Sequence, residues 1–111
     1  MTDRNPCNAL DGRQFHGIVL ERGKTAGDAE TLVFENGRFR STACDPWGYG
    51  DGAYTATAEN GVITFDAQTE SPTYGQLRWH GSVRGTRLDG TLTMVTNGEP
   101  SGEKWVLAGE P

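Results

Sequence analysis

The chain predicts an all-β protein, built as an eight-stranded antiparallel up-and-down meander barrel. Three observations carry that expectation. Apolar and polar residues alternate at period two in eight short runs. Turn signals punctuate those runs at even spacing, with Asn36-Gly37 and Asn60-Gly61 each lying between two alternating runs. No stretch carries the period of an amphipathic helix. Sixteen glycines without a collagen-like repeat fit a chain rich in turns and bulges.

The elements follow in order. Residues 14–20 set Phe15, Gly17 and Val19 against His16, Ile18 and Leu20, and read as the first strand. Residues 22–29, with Gly23 and Gly27, form a loop. The second strand is 31–35, and Asn36-Gly37 turns it into the third, 38–43. A loop over 44–52 precedes the fourth strand, 53–59, and Asn60-Gly61 leads to the fifth, 62–67. Residues 69–75, with Ser71-Pro72, form another loop before the sixth strand, 76–83. A tight turn at Gly85-Thr86 gives the seventh strand, 88–94, and a loop over 96–102 gives the eighth, 104–108.

Connections are thus long after the odd strands and tight after the even ones. If every strand reverses direction, the four long loops gather at one end, the mouth, and the tight turns and both termini at the other. Pairing of the eighth strand with the first closes the barrel and removes both sheet edges. The whole chain, 1–111, is expected to be one domain, with 1–11 as an N-terminal extension.

The inward faces give the expected core: Phe15, Val19, Leu32, Phe34, Phe39, Tyr54, Ile63, Phe65, Leu77, Trp79, Val83, Leu88, Leu92, Met94, Trp105 and Leu107. These mostly large residues fill much of an interior that has room for side chains or one small ligand. The small inward positions Gly17, Ser41, Ala43, Gly81 and Gly90 leave a shallow cavity near one end. A pocket at the level of the mouth is expected, not a deep one.

Composition narrows the partners. A net charge of -5 and a pI near 4.9 argue against nucleic acid and against an anionic membrane surface. No apolar run approaches the roughly 20 residues of a membrane span. The first residues carry no apolar signal-peptide core, which leaves a cytoplasmic chain or an exported one already processed.

The stretch from Ser41 to Tyr54 is the densest in chemistry. It holds Cys44, Asp45, Trp47, Tyr49, Asp51 and Tyr54 among three glycines. With Tyr74, Glu70 and Glu99, its loop residues belong to the mouth. Aromatics on glycine-rich polar loops serve either as a contact surface for a ligand or partner, or as a plug folded onto the core. The expected contact residues are Asp45, Trp47, Tyr49, Asp51, Tyr54 and Tyr74. A Cys44–His nucleophile is disfavoured, because His16 and His80 alternate with inward residues and should face out. The acids match no calcium-loop spacing, and no Cys or His pair has zinc-ligand spacing. No metal, cofactor or catalytic residue is expected. Cys7 and Cys44 fall at opposite ends of the meander, so free thiols are expected in place of a disulfide.

Residues 79–93, from Trp79-His-Gly-Ser-Val through Leu88-Asp-Gly-Thr-Leu, with Trp105-Val-Leu-Ala-Gly109, resemble the closing strands of calycin-type barrels, the lipocalin, fatty-acid-binding and avidin folds. The whole chain resembles a group of small bacterial lipocalin-like proteins of unassigned activity, through Gly37-Arg-Phe-Arg-Ser-Thr-Ala-Cys-Asp-Pro-Trp-Gly-Tyr-Gly50, Thr69-Glu-Ser-Pro72 and residues 81–91. Members of that group often look exported. The resemblance implies the barrel and supplies no reaction. Non-enzymatic binding of a small molecule at the mouth is the expected function, with a structural or protein-interaction role for the same loops as the alternative.

Overall fold

The computed structural model describes residues 5–6, 9–21 and 23–110, with 5–6 and 44–46 described by backbone alone. Eight strands form the barrel: β2 (Arg13–Glu21), β3 (Asp28–Glu35), β4 (Arg38–Ser41), β5 (Asp51–Glu59), β6 (Val62–Ser71), β7 (Gly75–Arg84), β8 (Arg87–Thr96) and β9 (Glu99–Gly109). Each pairs antiparallel with its neighbour in sequence. β2 pairs with β9 from His16↔Gly109 to Glu21↔Lys104, so the sheet closes on itself. A two-residue strand, β1 (Asn5–Pro6), pairs with Thr57 and Ala58 of β5. That stretch of β5 lies beyond the short β4, which reaches only Ala53.

The tight turns take the backbone that their residues favour. Asn36 and Gly37 have φ of 51° and 75°, and Asn60 and Gly61 have 52° and 78°, the doubly positive pattern of the hairpin type I′ turn. A third such turn stands at Asn97 and Gly98, with φ of 54° and 78°. The sequence places a long loop over 96–102, but β8 and β9 run through it and leave only 97–98 between them. β6 likewise extends to Ser71, leaving 72–74 before β7. Two of the four mouth connections are therefore tight hairpins. The long ones are the connection that includes 23–27 and the 42–50 connection, and the latter opens as a 3-10 turn, Thr42–Trp47, where the sequence extends the third strand.

The core is aromatic. Phe34 packs edge-on against Phe15, Phe39, Tyr54 and Phe65, with ring centroids 5.0 to 5.9 Å apart. Phe39 reaches Trp79 at 5.0 Å. Phe65 lies opposite Gly81 and covers it, so that glycine leaves no void. The buried indole of Trp79 donates to Thr69 Oγ1 at 3.3 Å, which satisfies its one polar atom. The turn over 9–12 closes the base. Leu10 is fully buried, Gly12 N–H donates to the Phe34 carbonyl at 2.6 Å, and Asp11 accepts from the Tyr54 hydroxyl and from Gly37 N–H.

β9 faces opposite to the sequence expectation. Val106 is buried and Ala108 packs against the core, whereas Trp105 and Leu107 are 43% and 40% exposed on the outer wall. Lys-Trp-Val-Leu-Ala is apolar on both faces, so alternation cannot choose between them. Volume chooses: aromatics already fill the interior, and the smaller pair goes in. A register shift between Met94 and Val95 against β9 leaves Ser101 without a ladder partner just ahead of this stretch. Val19, Ile63 and Met94, expected in the core, are only partly buried against it. Among the described residues no helix is long and apolar enough to cross a membrane.

Candidate functional site

The aromatic core occupies the base and the middle of the barrel, and a cleft of about 490 Å³ opens at the mouth. Val19, Leu77, Leu92 and Met94 form its apolar wall, and Trp47, Tyr49 and Tyr74 form its rim. Trp47 and Tyr74 meet at right angles, 5.7 Å between ring centroids and 82° between planes. Tyr49 lies nearly parallel to Tyr74 at 6.4 Å. Trp47 is 57% exposed and Tyr74 49%, whereas Tyr49 is half-buried against the core. A depression of equal volume lies between the β6–β7 and β8–β9 hairpins, but its lining, which includes Glu70, Gln76 and Asn97, carries no aromatic ring.

Two buried polar groups hold the rim. Ser71 Oγ donates to the Trp47 carbonyl at 2.9 Å and accepts from the N–H groups of Thr73 and Tyr74 at 3.2 and 3.3 Å. One hydroxyl thus ties the loop that bears Trp47 to the hairpin that bears Tyr74. Glu30 faces inward from β3 and is 6% exposed. Its carboxylate accepts from Ser41 Oγ at 2.7 Å, Thr31 N–H at 2.9 Å and Ala43 N–H at 3.3 Å. It thereby fixes the start of the 3-10 turn that leads to Trp47. Gly48 and Gly50 flank Tyr49 with φ of 86° and 60°, a left-handed backbone that side chains resist, and they bend the chain so that the tyrosine sits over the core.

Three of the expected contact residues, Trp47, Tyr49 and Tyr74, come together here. Two do not. Asp51 starts β5 on the outer surface, 3.3 Å from Arg38 Nη2 with both groups half exposed. Tyr54 is buried in the core, with its hydroxyl on Asp11 at the closed end. Asp45 lies in the 3-10 turn, and its side chain is outside the described residues, as are Cys7 and the Cys44 side chain. His16 and His80 both face out, at 3.0 Å from Thr31 Oγ1 and 2.7 Å from Asp66 Oδ1.

The charged lining is absent from the sequence expectation. Asp28, Glu30 and Lys104 all border the cleft. Lys104 and Glu21 sit directly across the β2–β9 ladder, with Nζ 4.0 Å from Glu21 Oε1. The missed signal was parity. Glu30 shares its face with Leu32 and Phe34 once β3 is extended upstream, and Lys104 shares its face with Val106 once β9 is turned over.

No protein-family model, curated protein or solved structure matches this chain.

Proposed function

We propose that the protein binds a small molecule at the open end of its barrel, with no reaction or cofactor involved, and that its fold is of the calycin type seen in small bacterial lipocalin-like proteins. The contact set is Trp47, Tyr49 and Tyr74. One observation carries this: three aromatic rings converge over a 490 Å³ cleft at the one end that the aromatic core leaves open. That volume lies within the range of small-molecule sites, about 300–1,000 Å³. Trp47 and Tyr74 leave half their surface in water although the barrel needs neither for its core. The same rim would suit a protein partner, but a flat partner surface would leave the apolar wall behind it unfilled.

The test is a titration with N-phenyl-1-naphthylamine, a neutral apolar dye that brightens when desolvated. Saturable brightening that is lost in Trp47→Ala is the expected result. No saturable signal, or a signal indifferent to Trp47→Ala, would show that the cleft is not a binding site.

A further inference from the structure

We infer that the ligand of the mouth cleft is an organic cation, an ammonium group on an aromatic or apolar body; this rests on the reading of the cleft as a binding site. The lining is asymmetric in charge. Among the described residues that line it, Asp28 and Glu30 are acidic and Lys104 alone is basic, and Lys104 lies 4.0 Å from Glu21 across the ladder. An anionic ligand would have to draw Lys104 away from Glu21 and sit against both carboxylates. A cation meets the opposite field, with the chain's net charge of -5 adding to it at long range.

The rings favour the same sign. Aromatic faces attract cations, most strongly those of tryptophan, and the gain rises as the group is desolvated. Trp47 and Tyr74, set at right angles, present surfaces in two directions at the entrance, and Tyr49 backs them from the core side. Val19, Leu77 and Leu92 behind them take an apolar body. Glu30 is held in place by hydrogen bonds from Thr31, Ser41 and Ala43 before any ligand arrives, so its carboxyl group is oriented without a further ordering cost.

The experiment displaces N-phenyl-1-naphthylamine from the full chain with three compounds of one shape: 2-phenylethylammonium, 2-phenylethanol and 3-phenylpropanoate. The ammonium should displace the dye at about one-tenth the concentration of the propanoate, a difference of about 1.4 kcal/mol, with the alcohol between them. Asp28→Asn, an exposed change at the start of β3, should narrow that margin about two- to threefold, as expected for one partly screened charge. Lys104→Met should widen it. Equal or tighter binding of the propanoate, or a margin that neither variant moves, would overturn the cation assignment while leaving the cleft as a site. A dye signal indifferent to Trp47→Ala would remove the site itself, and the cation assignment with it.

Discussion

Two tryptophans that look alike in sequence should behave differently when truncated. Trp79 and Trp105 are both expected inward on strands of the second half of the chain, but Trp79 is 2% exposed and Trp105 43%. An aromatic side chain of this kind buries about 150–250 Å², worth about 4–6 kcal/mol at about 25 cal/mol per Å², an upper figure because the denatured chain is itself compact. Trp79→Ala should therefore cost about 3–5 kcal/mol, the usual range for emptying a packed aromatic site. It also leaves Thr69 Oγ1 without the indole donor, at about 1 kcal/mol more. Trp105 has only about half its surface to lose. Its removal opens a groove that water fills, so Trp105→Ala should cost about 1–2 kcal/mol. Urea denaturation at constant m-value reads both. Costs within about 0.5 kcal/mol of each other would refute the facing of β9, and with it the inward placement of Lys104.

The rim gives the next contrast. Trp47→Ala should abolish dye binding at a stability cost of under about 1 kcal/mol because the ring is mostly in water, whereas Tyr49→Ala should cost about 2 kcal/mol or more through its packing on the core; equal costs in denaturation would make both rings part of one plug. Ser71→Ala removes a donor from the Trp47 carbonyl and an acceptor from two N–H groups. It should cost about 1–3 kcal/mol and weaken the near-ultraviolet dichroism of the Trp47–Tyr74 pair, and an unchanged spectrum would show that the hydroxyl does not position them. At low pH two carboxylates matter. Asp11 is held below the ordinary carboxyl value by the Tyr54 hydroxyl first and Gly37 N–H second, and Glu110 by the hydrogen bond from Arg13. A depressed folded value means that the unfolded chain binds more protons in the acid range. The stabilisation is therefore complete above the unfolded carboxyl value of about 4 and is lost as pH falls through the folded values. Asp11→Asn with Glu110→Gln should flatten the decline of the urea midpoint below about pH 4, and an unchanged slope would count against both bonds.

Much of the barrel was legible because its signals are local. Asn-Gly pairs and period-two alternation are properties of a few residues each, and they marked the strands and the direction of the meander. Where the structure departs from them, the deciding term was not local. Thr69, Glu70 and Ser71 look like loop residues beside Pro72, yet Thr69 and Ser71 are buried strand residues that bond Trp79 and Trp47. The facing of β9 depended on volume already taken by distant aromatics. Asn97-Gly98 carried the same turn signal as the other two pairs, but no clear alternating run flanked it, because Glu99, Pro100, Ser101 and Gly102 do not read as a strand. In the site, the aromatic rim was visible as a composition anomaly of loops. The charges lining it were hidden because an inward Glu or Lys looks like solvent-facing sequence until its face is known.

The two sides of the cleft differ in how they are held, and this bears on what each would do. Tyr74 stands on the hairpin over 72–74, between two strands paired from Val62↔Arg84 to Ser71↔Gly75, and Leu77, Leu92 and Met94 belong to the same continuous ladder. That side is set by sheet geometry. Trp47 and Tyr49 hang instead on the 42–50 connection, which, among the described residues, the rest of the fold grips through the Thr42 hydroxyl at the Thr31 carbonyl, through Glu30 at Ala43, through Ser71 at the Trp47 carbonyl and through the packing of Tyr49. Long connections open at lower cost than paired strands. A ligand entering the cleft therefore meets a fixed apolar wall that selects its shape. It also meets an aromatic wall on a long connection, anchored in part by a buried carboxyl group and one serine hydroxyl. Loss of either anchor should raise the dissociation rate of a bound molecule more than it lowers the association rate, because the fixed wall is untouched.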